Sequence, residues 1–292
     1  MLNVRIVYYT SGLTGVGRLI HGMAIGNALR RKNIRCDYTI LHTSPMGHLA
    51  DDFDHLWIPI EMPEDLSEKN FHKSVLYKTL SRLKPDILLV NHLWYMLYHF
   101  SQEMPCKKVY LSDQAYESHF KLSLPGGDIA FKNEQYDRVF SIEPFKTGVP
   151  MEKINPLILR NRDEILSRET AMKRLGLGGK RKAALYSFSA SPEQYDRFLE
   201  KYSYLDDEYE VIRTSSYKNG IFPAVDYFNA FDLVICGGGY NQVWEAVYFK
   251  KKGIFEPLPM QFSDQSVRIK ASKIFHFEEN GADQLVDIIM NL

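Results

Sequence analysis

Asp232-Leu-Val-Ile-Cys-Gly-Gly-Gly-Tyr-Asn-Gln-Val-Trp-Glu245 is the stretch of this chain whose residue types and spacing are best suited to chemistry. Leu233 to Cys236 has the length and apolar character of a buried strand, and turn residues bound it. Gly237, Gly238 and Gly239 admit backbone dihedrals closed to other residues and let a ligand come close to the main chain. A helix opening at Tyr240 and Asn241 presents unpaired N–H groups and a positive dipole end, which together form an anion site. Asn241 and Glu245 are four residues apart and share a helix face. An anion on the amides and a carboxylate one turn further suit a nucleoside diphosphate whose ribose hydroxyls need an acceptor. The same residues also fit a tight strand-to-helix turn in any α/β protein, with Glu245 complementing the helix dipole.

A second glycine-bearing turn lies near the start of the chain. Val4 to Thr10 is a β-branched and aromatic run, followed by Ser11-Gly-Leu-Thr-Gly-Val-Gly17 and a helical pattern from Arg18 to Lys32. Gly15 and Gly17 sit where a first strand feeds a first helix, a usual ligand crevice of open parallel sheets. The loop matches neither the G-x-G-x-x-G fingerprint, because Ile20 stands at the third glycine position, nor a P-loop. Arg18 can fork onto a phosphate or carboxylate, and His21, one turn on, has the intrinsic pKa of a general base. His92 and Asp113 follow apolar runs and belong at the carboxyl ends of strands, where a polar loop residue without chemistry is an equally ordinary reading. Asp51-Asp-Phe-Asp54 and Asp206-Asp-Glu208 read as solvated acidic turns. Glu256-Pro-Leu-Pro259 and the following Gln261 to Gln265 form a loop expected to close over whatever the glycine turn binds.

The elements that position these residues alternate between strand and helix. Strands are expected at Val4–Thr10, Cys36–Leu41, Asp86–Val90, Lys108–Leu111 and Arg138–Ile142, with helices over Arg18–Lys32 and Ser67–Leu83. A charged connector from Arg160 to Arg174 precedes a second series. Its strands are Lys182–Ser189, Glu210–Thr214, Leu233–Cys236 and Gly253–Phe255, and its helices Pro192–Lys201, Asp226–Phe231 and Asp283–Leu292. Strand, helix, strand in succession implies parallel sheets with right-handed crossovers. The expected division is residues 1–157 as one α/β domain and 158–292 as another.

Composition narrows the partners. Hydrophobic residues make up 45% and charged residues 25% of the 292, the proportions of a soluble globular protein. Lys+Arg and Asp+Glu number 36 each, for a formal net charge of +0, so no global field draws the chain to nucleic acid. Cys36, Cys106 and Cys236 are few and scattered, against a disulfide framework or a zinc cluster. No signal-peptide pattern opens the sequence and no apolar run is long enough to span a bilayer. A cytoplasmic protein is expected, with peripheral membrane contact left open.

These pieces, in this order, resemble a glycosyltransferase of the GT-B architecture, in the branch of the peptidoglycan N-acetylglucosaminyltransferase and related predicted glycosyltransferases. The residues carrying the resemblance are Tyr9 to Arg18, Pro85 to Val90, the connector ending Arg174-Leu-Gly-Leu177, and Asp232 to Glu245 with Pro257, Asp264 and Gln265. The resemblance implies two Rossmann-like parallel-sheet domains facing across a cleft. It assigns the donor to the second domain: the glycine turn with Tyr240 and Asn241 on the diphosphate, Glu245 on the ribose, and Asp264 with Gln265 on the sugar. It gives the acceptor to the first domain, with His21 and Arg18 as the catalytic residues, and counts Gly15 and Gly17 among the residues that bind the nucleotide sugar. The family's usual Gly-x-Gly-His order is altered, since Arg18 stands where the histidine is expected and His21 lies three residues on. Metal-independent transfer from a nucleotide sugar, UDP-linked, without a further cofactor, is the implied reaction. A nucleotide-sugar hydrolase or epimerase, or a non-catalytic nucleotide-sugar-binding protein, are the alternatives on the same scaffold.

Overall fold

The structure, a computed structural model, describes residues 3–12, 16–62, 65–124, 127–189, 191–215, 220–258 and 265–292. It divides into two compact units, one of residues 1–157 with 279–292 and one of residues 158–278.

The first unit is built on a seven-stranded sheet. In chain order its elements are β1 (Val4–Thr10), α1 (Gly17–Arg31), β2 (Cys36–His42), β3 (Asp54–Trp57), α2 (Val75–Leu83), β4 (Ile87–Asn91), β5 (Lys107–Ser112), β6 (Lys121–Leu124), β7 (Gly127–Ala130), β8 (Arg138–Ser141) and β9 (Glu152–Lys153). The sheet order is β3-β2-β1-β4-β5-β8-β9, every pairing in it is parallel, and β6 and β7 form a separate antiparallel ribbon. β1 and β4 are central and buried on both faces, which is why they read as continuous apolar runs. Val7, Tyr9, Leu88 and Val90 join one core with Leu76, Leu80, Phe71, Trp94 and Phe100. On the opposite face, α1 lies close over β1: a Cβ at Gly22 would stand 2.7 Å from Tyr8 Cδ1, and the Tyr8 hydroxyl donates to the Arg18 carbonyl at 2.7 Å.

The second unit carries α3 (Arg168–Leu175), β10 (Lys182–Ser187), α4 (Pro192–Lys201), α5 (Leu205–Glu208), β11 (Tyr209–Thr214), β12 (Leu233–Gly237), α6 (Tyr240–Tyr248), β13 (Lys252–Glu256) and α7 (Gln265–Ala271). Its sheet is parallel throughout, in the order β11-β10-β12-β13. Asp232 anchors the start of β12, its carboxylate accepting from the Ala183 N–H at 2.9 Å and from Arg168 at 3.2 Å.

Several expectations need correction. Helix α2 begins at Val75 rather than Ser67, because Ser74 is extended and its hydroxyl accepts the Tyr77 N–H at 3.0 Å as an N-cap. The Asp226 segment is a 3-10 helix over Ala224–Ala230. Asp54, expected in an acidic turn, opens β3, a four-residue edge strand too polar to announce itself; Asp51 beside it holds His55 at 3.2 Å.

The largest difference is the last helix, α8 (Gly281–Ile289), expected in the second domain but packed against α1 of the first unit. The reason lies in α1, whose residues from His21 to Leu29 are all buried, leaving no solvent face. Leu285, Val286 and Ile289 cover it, and Arg31 pairs with Asp283 at 2.8 Å on partly buried side chains. The entry to α8 is tight: Asn280 caps it by accepting the Ala282 N–H at 2.9 Å, and the Gly281 N–H donates to the Pro156 carbonyl at 3.0 Å. A Cβ at Gly281 would stand 1.8 Å from the Asn155 carbonyl oxygen, so this position requires glycine for space.

Gly281→Ala is therefore expected to lower stability by at least the ~1–3 kcal/mol typical of overpacking, read as a drop in melting temperature. A variant melting with the wild type would show that α8 is not docked on the first unit.

Candidate functional site

In each sheet the strand order reverses once, between β1 and β4 in the first and between β10 and β12 in the second. Successive crossovers leave in opposite directions at these points, opening a crevice at the carboxyl ends of the two strands. The glycine corner of the second unit sits there, and so does Gly17 of the first.

In the second unit β12 runs into Gly237, Gly238 is the turn, and Gly239 is the N-cap of α6 with φ −63° and ψ 148°. None of the three has a positive φ, so the expected dihedral reason for them is corrected to a steric one. A Cβ at Gly237 would meet Leu258 at 3.0 Å, and one at Gly238 would meet Gln265 and Ile269 at 2.9 Å. At Gly239 the nearest atom would be Gln242 Oε1 at 3.7 Å, an ordinary contact, so that position is the least crowded of the three. The turn is braced from three sides. The Gly238 N–H donates to the Glu256 carbonyl at 2.8 Å, Arg268 Nη1 donates to the Gly238 carbonyl at 2.9 Å, and Gln242 Nε2 donates across the crevice to Ser187 Oγ at 2.8 Å.

Gln265 lies against the turn as expected, but its Oε1 accepts the Leu258 N–H at 2.7 Å and the residue is buried. It fastens the segment after β13 to the glycines. Asp264 and Gly15 lie outside the described residues. Tyr240 is buried beneath Arg268, whose guanidinium stands 5.5 Å from the ring centroid, while Asn241 is half-buried at the first turn. Arg268 and Gln242 were missed in the sequence. Arg268 follows Gln265 by three residues on one helix face, a spacing that carries a signal only once Gln265 is known to touch the turn.

Glu245, one turn into α6, is buried. Burial pushes its pKa up to about 8; the nearby Asp226 carboxylate adds to this and Arg160, paired with Asp226 at 2.9 Å, opposes it. The carboxyl is thus poised to change charge near neutrality, one helix turn behind the start of α6.

In the first unit Gly17 opens α1, with Arg18 and His21 on its first turns. His21 is 1% exposed, and its Nδ1 stands 3.1 Å from Asn91 Nδ2, tying α1 to the end of β4 across the crevice. It is sealed inside the unit, whereas Arg18 is half-buried and reaches electrostatically to His92 and Asp113. Those two residues, at the ends of β4 and β5, pair at 3.5 Å. The crevice thus gathers Arg18, His21, Asn91, His92 and Asp113. Among the described residues no group of three or more His, Cys, Asp or Glu side chains is arranged for a metal ion, and no helix is long and apolar enough to cross a membrane.

No family model matches the chain, and no curated protein matches it. Solved structures do. The chain is similar to the Streptomyces sp. SF2575 glycosyltransferase SsfS6 complexed with thymidine diphosphate, at 15% identity over 99% of this chain and 100% of that one, with a TM-score of 0.61. It is similar to the glycosyltransferase VinC in complex with DTDP at 11% identity, 98% and 90% coverage and a TM-score of 0.60. Acinetobacter baumannii MurG follows at 14% identity, 99% and 91% coverage and 0.54. At these identities the likeness is one of fold, and that fold is GT-B: two Rossmann-like units, each on a parallel sheet.

The buried carboxyl has a measurable consequence. Glu245 ionises near its ordinary 4.5 when unfolded and near 8 when folded, so between those values only the folded state holds the proton. Stability from this group is complete below the lower value and is lost as pH rises toward the upper one. Glu245→Gln, neutral throughout, is expected to gain melting temperature relative to the wild type steadily from about pH 5 to about pH 8. A pH-independent difference would show that the carboxyl is solvated.

Proposed function

We propose that this GT-B-fold chain is a glycosyltransferase that moves a sugar from a nucleoside diphosphate donor to an acceptor hydroxyl. The observation that carries the reading is the glycine corner of the second unit. It combines an uncrowded Gly239 at the start of a nine-residue helix, a buried arginine against the same backbone and a buried carboxyl one turn further. Two of the similar structures were solved with thymidine diphosphate, which fits a diphosphate seat in this fold.

The diphosphate lies against the backbone at Gly239 and the start of α6, where aligned peptide dipoles favour negative charge. As the bond between the anomeric carbon and the phosphate oxygen breaks, charge builds on the departing diphosphate. The helix end and Arg268 stabilise it there without reorganising, the role a divalent ion plays elsewhere, so transfer proceeds without a metal. Glu245 takes the ribose hydroxyls, and its ionisation on contact links nucleotide affinity to pH. A uridine donor is the first choice, with thymidine the comparison. The first unit takes the acceptor, with Arg18 at the mouth of its crevice and His21 behind it.

Thermal-shift measurements with UDP and TDP on the wild type, Glu245→Ala and Gly239→Val test the reading. We expect stabilisation of the wild type, roughly tenfold or more weaker binding in Glu245→Ala, and none in Gly239→Val, whose branched side chain crowds the turn. Equal shifts in all three proteins, or none in the wild type, would remove the corner as a nucleotide seat.

A further inference from the structure

The crevice of the first unit holds a strained and under-satisfied polar cluster that the folding of the sheet does not require. His92, the first residue after β4, has φ +72°. Left-handed backbone is costly for a residue with a Cβ, and such outliers concentrate where a side chain must be aimed. The backbone there is firmly held: the His92 N–H donates to the Leu111 carbonyl at 3.0 Å, and its own carbonyl accepts from the Tyr110 hydroxyl at 3.1 Å and the Trp94 N–H at 3.0 Å. The strain is thus fixed by three bonds rather than relaxed.

The imidazole it aims is flanked on both nitrogens. Nδ1 stands 3.5 Å from Asp113 Oδ1, and Nε2 stands 3.4 Å from the Gln114 amide nitrogen. At that separation neither Nδ1 nor Oδ1 completes a hydrogen bond, but a carboxylate beside one nitrogen and an amide donor beside the other favour the proton on Nδ1 and leave the Nε2 lone pair as an acceptor. Gln114 holds that lone pair only loosely at this distance. Around the pair, Thr10 Oγ1, Arg18 Nε and Asn91 Oδ1 are buried without a hydrogen-bond partner among the described residues. Buried polar atoms are normally satisfied, and several unsatisfied ones at one strand-end crevice point to a polar ligand.

We propose that His92 takes the proton from the acceptor hydroxyl, with Asp113 as its positioning residue. The assignment rests on the glycosyltransferase reading and specifies its reacting group. The acceptor O–H bond breaks as its proton passes to His92 Nε2. The oxygen's electron pair forms the new bond to the anomeric carbon. The bond from that carbon to the diphosphate oxygen breaks, and its electron pair leaves with the diphosphate. His92 then releases the proton to solvent. His21 serves from behind: by holding Asn91 it fixes the residue from which the His92 turn departs. The charged and titratable groups around His92 are Asp113 from the end of β5, Arg18 from α1 and His119 from the 3-10 turn Glu117–Phe120. Burial lowers the His92 pKa, Arg18 and His119 act the same way and Asp113 opposes them, so the ring is neutral at pH 7 and competent as a base.

The test uses the full chain. Asparagine tolerates left-handed backbone, so His92→Asn removes the imidazole while sparing the turn, and UDP or TDP thermal shift reports that the protein remains folded and binds nucleotide. Release of nucleoside diphosphate from UDP-glucose, UDP-N-acetylglucosamine and TDP-glucose is followed over a panel of phenol and alcohol acceptors. We expect about 100-fold or greater loss of turnover in His92→Asn with an unchanged nucleotide shift. Asp113→Asn is expected to slow kcat at constant donor KM and to move the acid limb of the pH profile to lower pH, which a purely structural role would not do. Nitrogen NMR of the imidazoles, which needs no acceptor, is expected to show His92 neutral at pH 7 with its proton on Nδ1. Wild-type turnover in His92→Asn, or a proton on Nε2, overturns the assignment and leaves the nucleotide seat intact. A wild type that binds neither nucleotide overturns the function itself.

Discussion

A parallel sheet whose strand order reverses cannot cover its own carboxyl edge at the point of reversal. The helices on either side of that point depart toward opposite faces, and the backbone ends of two adjacent strands are left facing a gap. Both units of this chain contain one such point, and in both a side chain crosses it. His21 reaches from α1 to Asn91 in the first, and Gln242 reaches from α6 to Ser187 in the second. These bridges tie the two sides of each gap together.

The two gaps are furnished differently. In the second unit the lining is mainly backbone, namely three glycines, a helix start and the carbonyl of Gly238 held by Arg268. Packing against Leu258, Gln265 and Ile269 decides the first two glycines, and only the third is uncrowded. In the first unit the lining is side chains, with half-buried Arg18, His92 and Asp113 grouped together. Asp113 is held well below the usual carboxylate range by Arg18 and His92 despite desolvation, so the cluster keeps a carboxylate near a guanidinium. A rigid main-chain surface suits a diphosphate, whose shape is constant, and adjustable side chains suit a group that must gain and lose a proton.

Much of this was legible from residues alone. Ile6–Tyr9, Ile87–Val90 and Leu233–Cys236 are buried on both faces, so their apolar runs are unbroken, and the glycine corner follows from its place after such a run. What escaped has physical reasons. β3 is a half-exposed edge of four residues, and the β6–β7 ribbon is short and partly polar, so neither alternates clearly. Arg268 and Gln242 act through tertiary contacts that no local spacing encodes. His92 and Asp113 stand out only by position. Their interest lies in a backbone angle and in missing partners, both invisible until the chain is folded.

The return of α8 to the first unit has a consequence for how the chain is made. The chain leaves that unit after Leu157 and re-enters it at Glu279, so the whole second unit is an insertion within the first. On the ribosome the second unit emerges complete while the first still lacks the helix that covers α1. The later-synthesised half can therefore mature ahead of the earlier one, and the nascent first half must wait with an apolar helix face uncovered. That face is the place where a chaperone would be needed during synthesis.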